Sequence, residues 1–174
     1  MARARELYER VREAQAMLGT GEVEEAVARA EALRTEALTR LEGAVPSGVE
    51  RSYALAAFGY ATVTVILGLA ETLPPREFIP RIRFLAVEAA RRYRPGSDVW
   101  KALAAAAEML ARAGDVEGAV WALRKAEELR PGDADLERVA AGVRTMYPQA
   151  YEAAGEPGEE PPPLALTRGP AAPC

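Results

Sequence analysis

The stretch from Ser52 to Ala70 contains 19 consecutive residues without a charge. This length is close to the minimum that a helix needs to span a bilayer. Its second half, residues 63–70, is strongly apolar, whereas Ser, Tyr, Thr and Gly dilute the first half. A helix that is apolar on every side also occurs where neighbouring helices cover all of its faces. We therefore expect a central core helix, and a membrane-anchored protein with a span near 52–70 is the alternative.

Amphipathic segments separated by short breaks account for the rest of the chain up to residue 154. Their apolar residues recur at the spacing of one helix face, and Gly or Pro residues end most segments. Ala, Leu, Glu and Arg dominate, as is typical of packed helices rather than sheets. The pattern predicts one all-α domain over residues 1–154. Its seven predicted helices cover residues 4–18, 22–42, 50–72, a stretch that starts between Pro75 and Pro80, 99–113, 116–130, and a last one from 133 that is interrupted near Pro148.

Residues 155–174 differ in character from the rest of the chain. Six of the last 18 residues are Pro, and Leu164 and Leu166 are the only large apolar ones after residue 154. Such a segment buries too little surface to offset the entropy lost on ordering. We predict a disordered Pro/Glu-rich tail, and a short docking peptide at residues 161–166 in extended polyproline form is the alternative.

Residues 100–133 form a 34-residue unit of two predicted helices joined by a tight turn. Ala119 and Ala126 lie seven positions apart on one face of the second helix, where small side chains let two helices approach closely. Gly114 permits the left-handed backbone that ends the first helix, and Asp115 suits the cap of the second. The remaining landmarks are an anchor in the first helix and a closing proline, Leu103 and Pro131. This unit resembles a tetratricopeptide (TPR) repeat.

Two other segments resemble weaker copies of this unit. The last predicted helix, from Asp133, corresponds to the polar helix that covers the final apolar face of such arrays. The resemblance implies an antiparallel helix-pair solenoid of about three TPR-like repeats with a C-terminal capping helix. The landmarks of the weaker copies are Leu55, Phe58, Gly59 and Pro95 in one, and Gly21, Val23 and Ala26 in the other.

The resemblance also implies a concave groove in which an extended peptide or a partner helix binds. The branch of the family that clamps a peptide carboxylate uses Asn and Lys, and this chain has no Asn, so that mode is not expected. The alternative for Tyr53 and Tyr60, which lie seven positions apart on one helix face, is that they fill the core. We predict a non-enzymatic interaction scaffold or adaptor for a protein or peptide partner. The predicted groove residues are Tyr8, Gln15, Tyr53, Tyr60, Lys101, Glu108 and Arg112.

A cluster of arginines with interleaved aromatic residues suggests a second interpretation. An Arg-rich helical module of this kind binds nucleic acid or an acidic partner. A solvated helix face is the simpler explanation, because the whole chain is mildly acidic, with 22 basic and 26 acidic residues. The cluster consists of Arg76, Arg81, Arg83, Arg91, Arg92 and Arg94.

The composition limits the available chemistry. The chain has no His, and its single cysteine is Cys174, so neither an imidazole base nor a set of His and Cys metal ligands is available. We find no phosphate-binding loop and no nucleophile elbow. We therefore predict no enzymatic activity, no cofactor and no metal.

Two further expectations concern compartment and stability. The N-terminal residues lack the apolar run of a signal peptide, which favours a cytoplasmic protein. Twenty of the 22 basic residues are Arg and Asn is absent, which suggests coding bias or a thermostable protein. The sequence leaves the oligomeric state open, and a homo-oligomer is compatible with it.

Overall fold

The computed structural model of the chain describes residues 2–43 and 48–164. Within these ranges the secondary structure is entirely helical, with no strand, which confirms the all-α prediction. Cys174 and the end of the predicted tail, residues 165–174, lie outside the described ranges. The eight helices of the described part are α1 (Ala2–Leu18), α2 (Val23–Glu42), α3 (Gly48–Thr72), α4 (Pro75–Arg92), α5 (Trp100–Arg112), α6 (Val116–Leu129), α7 (Ala134–Met146) and α8 (Pro148–Ala153).

The helices pack in chain order. In the described part of the chain, each helix has close backbone contacts only with helices one or two places away along the sequence. Each odd-numbered helix from α1 to α5 contacts the next odd-numbered one, and α3 contacts α1, α2, α4 and α5. The resulting core is a continuous cluster that runs from Leu7 in α1 to Tyr151 in α8.

α3 is the central helix of this arrangement. In the described residues it is the one helix with the length and hydropathy of a membrane span, and 67 % of its most apolar window is buried against other helices. The side chains of Phe58 and Ile66 in α3 are fully buried. The buried hydroxyls of Thr62 and Thr64 donate to the carbonyl oxygens of the preceding turn at 2.7 and 2.9 Å, so burial leaves neither without a partner. This burial is what the core-helix interpretation of the uncharged stretch requires.

The turn between α5 and α6 follows the local rules expected from the sequence. Gly114 has a φ of +84°, a backbone conformation that residues other than glycine rarely adopt. Asp115 precedes α6, and its carboxylate accepts a hydrogen bond from the backbone N–H of Gly118 at 3.2 Å. Ala119 and Ala126 are fully buried on the face of α6 that packs into the core.

Two boundaries occur at prolines where the sequence indicated them, and the number of helices differs from the prediction. α4 begins at Pro75 and includes Pro80, which lies on the exposed face. The interruption near Pro148 separates two helices, α7 and α8, so the described part contains eight helices rather than about seven. Proline is tolerated at the first position of a helix because the N–H it lacks would have no partner there, and this accounts for the starts of α4 and α8.

Residues 155–164 have no regular secondary structure and lie against the helical domain. The indole N–H of Trp121 donates to the carbonyl oxygen of Gly158 at 2.9 Å, and Arg91 forms an ion pair with Glu160 at 2.7 Å. We call this segment the C-terminal strap. The docking peptide considered from the sequence, residues 161–166, lies only partly within the described residues.

Candidate functional site

Three tyrosines from two helices form an aromatic cluster. The ring of Tyr8 in α1 lies 6.0 Å from that of Tyr53 and 5.8 Å from that of Tyr60, both in α3. Tilted and edge-on rings at these separations are favourable arrangements of aromatic pairs. All three side chains are half-buried, so each ring packs against the domain while part of it remains accessible.

Two cations border this aromatic cluster. The ammonium of Lys101 in α5 donates to the hydroxyl of Tyr60 at 2.7 Å and forms an ion pair with Asp98 at 3.3 Å. The guanidinium of Arg12 lies 4.6 Å from the centre of the Tyr60 ring, within the range of a cation–π interaction. Tyr60 is therefore fixed by contacts with two cations as well as by the ring of Tyr8.

The ionisation of Lys101 follows from these partners. Burial acts to lower its pKa, but the hydrogen bond with Tyr60 and the charge of Asp98 outweigh burial, so the pKa is raised above its ordinary value of 10.5. The ammonium therefore stays charged throughout the neutral range. The site consequently offers a fixed positive charge beside aromatic rings.

An open cleft of 430 Å³ lies next to the cluster, and we call it the tyrosine cleft. Its walls come from α1, from the first half of α3 and from the loop between α4 and α5. That loop turns at Gly96, whose φ is +82°. Val49, at the rim, is 52 % exposed. The lining residues are Tyr8, Val49, Ser52, Tyr53, Leu55, Ala56, Pro95, Gly96, Ser97 and Asp98.

The structure brings together some of the predicted groove residues and separates others. Glu108 and Arg112 form an ion pair at 2.5 Å and line a second, smaller cleft of 230 Å³ between α5 and α7. Gln15 is half-buried in α1 and is not among the residues that line either cleft. Of the predicted groove residues, Tyr8 and Tyr53 line the tyrosine cleft. Tyr60 and Lys101 do not line it but are connected to it, Tyr60 through the ring of Tyr8 and Lys101 through Asp98.

Sequence reasoning missed the loop residues that complete the cleft. The sequence marked Pro95 only as a landmark of a weaker repeat copy, and it gave no sign that Ser97 and Asp98 line a cleft. Pro-Gly at positions 95 and 96 was a signal for a turn, but nothing local indicated that this turn lies opposite Tyr53. Their proximity is set by the packing of α3 against α5.

The arginine cluster is engaged in pairs rather than presented as an open basic surface. Arg83 forms a buried bidentate pair with Asp115, with two N–O distances of 2.6 Å. The guanidinium of Arg94 donates to the carbonyl oxygen of Tyr93. The remaining ion pairs join Arg76 to Glu77, Arg81 to Glu31, Arg91 to Glu160 and Arg92 to Glu42. Carboxylates therefore offset the positive charge that would attract phosphates.

No protein-family model, curated protein or solved structure matches this chain significantly. In the described residues no group of three or more metal-ligating side chains occurs. The function is therefore inferred from the geometry of the clefts.

Proposed function

We propose that this chain is a TPR-like interaction scaffold that binds an extended segment of a partner protein in the tyrosine cleft. The observation that carries the proposal is the cleft itself, which is lined by the accessible rings of Tyr8 and Tyr53. The ring of Tyr60, bonded to the charged ammonium of Lys101, packs against that of Tyr8. Aromatic side chains that combine a large apolar body with a polar tip are enriched where proteins bind one another.

The packing order of the helices supports a repeat architecture. Contacts that reach only one or two helices along the chain are expected when each helix pair stacks on its neighbour. In such a stack the first helices of successive pairs face the same side. In this chain those helices are α1, α3, α5 and α7. The tyrosine cleft lies on the first two of these and on the loop that precedes the third.

Two turns repeat the same local geometry far apart in the chain. Gly21 and Gly114 have φ values of +85° and +84°, and each precedes the second helix of a pair. The first alanine of each of those two helices, Ala26 in α2 and Ala119 in α6, is fully buried. Gly96 and Gly132 have similar φ values of +82° and +76° before α5 and α7, so the glycine alone does not distinguish the pairs. The buried alanine at the same offset from Gly21 and Gly114 supports the interpretation of α1–α2 and α5–α6 as copies of one structural unit.

The shape and chemistry of the cleft favour an extended ligand. The loop carrying Pro95 and Gly96 supplies backbone groups opposite the tyrosine rings, and Ser52 and Ser97 supply hydroxyls. A peptide backbone can exchange hydrogen bonds with such groups while its side chains contact the rings. The half-buried state of Tyr53 leaves a surface on which a ligand can pack.

Peptide selection followed by mutagenesis tests the proposal. Linear peptides displayed on phage are selected on the full chain, and the dissociation constant of the best one is measured for the wild type and for Tyr8→Ala and Tyr53→Ala. We expect each substitution to weaken binding by about thirtyfold, the effect of losing an aromatic residue central to an interface. Phe84→Ala removes an exposed ring outside the cleft and is the control, which should bind as the wild type does.

Thermal unfolding of the same variants separates binding from folding. If Tyr53 lines a binding site, Tyr53→Ala should lose affinity while most of the melting temperature is retained. A large loss of stability with unchanged affinity would place Tyr53 in the core and remove the proposal.

A further inference from the structure

The C-terminal strap occupies a groove that is separate from the tyrosine cleft. The surfaces that border the strap come from α4, α6 and α8, and they share no lining residue with the tyrosine cleft. α8 positions the start of the strap because Tyr151 is held by Arg124, whose guanidinium lies 4.1 Å from the ring centre and donates to the Tyr151 carbonyl oxygen at 2.9 Å. The strap therefore begins from a fixed point.

The domain holds the strap by its backbone at two places. The indole N–H of Trp121 donates to the carbonyl oxygen of Gly158, and the guanidinium of Arg83 donates to that of Pro162. Each residue whose carbonyl oxygen accepts one of these bonds directly follows a half-buried proline, Pro157 in the first case and Pro161 in the second. The same contact thus recurs after four residues.

The donors of the groove belong to the helical domain and are held in place by it. Arg83 is only 8 % exposed, and its bidentate pair with Asp115 uses Nε and Nη2, which leaves Nη1 pointing at the strap. Asp115 is itself fixed as the cap of α6. The groove therefore presents a preoriented N–H donor, and preorganisation of this kind lowers the entropic cost of binding.

One side-chain contact adds a preference for acidic ligands. Arg91 pairs with Glu160, although both side chains are more than half exposed. Exposed pairs contribute little affinity, so this contact serves selectivity more than strength. The contacts follow a pattern that starts at Pro157. The groove contacts prolines at the first and fifth positions, backbone carbonyls at the second and sixth, and a glutamate at the fourth.

The strap leaves part of the surrounding surface uncovered. A cleft of 400 Å³ remains beside it over α6 and α8, and another of 420 Å³ remains over α4, where the ring of Phe84 is 66 % exposed. A ligand with larger side chains than the strap has room to contact both clefts. The strap is therefore a partial occupant of the groove.

We propose that this groove, formed by Arg83, Arg91 and Trp121, is a second interaction surface for an extended segment containing proline and glutamate. The chain's own strap occupies the groove as an intramolecular ligand, and a partner segment of the same chemistry displaces it. A tethered segment acts at an effective concentration of about a millimolar, so displacement requires a partner that uses the uncovered clefts as well.

The test measures binding of a labelled peptide to the full chain. The probe is a fluorescein-labelled peptide with the sequence of residues 155–164, followed by fluorescence anisotropy. In the full chain the variant Pro157→Ala with Pro161→Ala weakens the strap, and we expect it to bind the probe about tenfold more tightly than the wild type. Pro163→Ala, which changes an exposed strap proline, is the matched control and should bind as the wild type does.

Two further measurements test whether the probe binds in the groove at Trp121. Adding Trp121→Phe to the weakened-strap variant removes the indole donor and should lower its affinity for the probe by about five- to tenfold. The indole N–H resonance of Trp121, assigned from its absence in Trp121→Phe, should shift when the strap is weakened and return when the probe is added.

Three results would overturn the proposal. One is an unchanged Trp121 indole resonance in the weakened-strap variant, which would show that these prolines do not hold the strap. Another is an equal gain in probe binding from Pro163→Ala. The third is a concentration-dependent dimer of the wild-type chain that the weakened strap abolishes, since the strap of a second copy would then be the occupant.

Discussion

At the scale of single residues, the absence of side chains decides how closely α3 approaches its neighbours. A Cβ added to Gly59 would lie 3.1 Å from the Cα of Val99, at the start of α5. A Cβ added to Gly68 would overlap the side chain of Val27 in α2. Valine has few side-chain conformations available in a helix, so it cannot easily make room. Glycines in the middle of α3 and near its C-terminal end thus allow neighbouring segments to approach it closely.

Gly68→Ala should therefore destabilise the protein. We expect the free energy of unfolding to fall by about 1–3 kcal/mol, the usual cost of overpacking, measured by urea denaturation. Gly142→Ala is the matched control, because Gly142 lies within α7 with no atom near its missing Cβ. The control should gain up to about 1 kcal/mol from helix propensity alone. Equal effects at the two positions would show that α2 and α3 are not closely packed at Gly68.

At the scale of helices, hydrophobic periodicity was enough to place most elements, because each helix buries one face. The predicted ends of α2, α3, α5 and α6 agree with the structure within about two residues, as expected where Gly, Pro or Asp ends a segment. α4 was harder to place because two prolines could each mark its start. Pro80 is accommodated within the helix on its exposed face, and no local signal distinguishes that case from a helix start.

Ion pairs between helices make stability depend on pH. Glu36 in α2 bonds to Arg40 of the same helix at 2.7 Å and to Arg10 of α1 at 3.1 Å. The hydrogen bond from Arg40 lowers its pKa below the ordinary value of 4.5, aided by the charge of Arg10 and opposed by partial burial. Since the folded-state pKa is the lower one, the pairs stabilise the protein above pH 4.5 and lose this effect as the pH falls through the folded-state pKa.

Glu36→Gln tests this dependence. We expect the difference in unfolding free energy between wild type and variant to be constant near neutral pH and to shrink below pH 4.5. The effect should be small and should decrease in high salt, because the Glu36 side chain is 33 % exposed. A difference that stays the same down to acidic pH would show that Glu36 is not stabilised as a carboxylate.

At the scale of the whole molecule, the two proposed binding surfaces arise from contacts that no local pattern encodes. Tyr8 and Tyr53 come from different helices, and the loop at Pro95 joins them only after α3 packs on α5. The hydrogen bond between Trp121 and Gly158 links residues 37 positions apart. The resemblance to a TPR repeat implied a groove that contains Tyr8, Tyr53 and Tyr60, and the rings of Tyr53 and Tyr60 do lie beside that of Tyr8. The sequence did not predict the strap contacts, because composition alone indicated a segment with too little apolar surface to order.

The most direct test of the central proposal is the location of bound peptide. Amide chemical shifts of the isotope-labelled chain are recorded during titration with the library-selected peptide. We expect the largest changes at Tyr8, at Tyr53 and in the loop at residues 95–98. Changes centred on the arginine cluster or on the strap groove, with none at Tyr8 and Tyr53, would contradict the proposal.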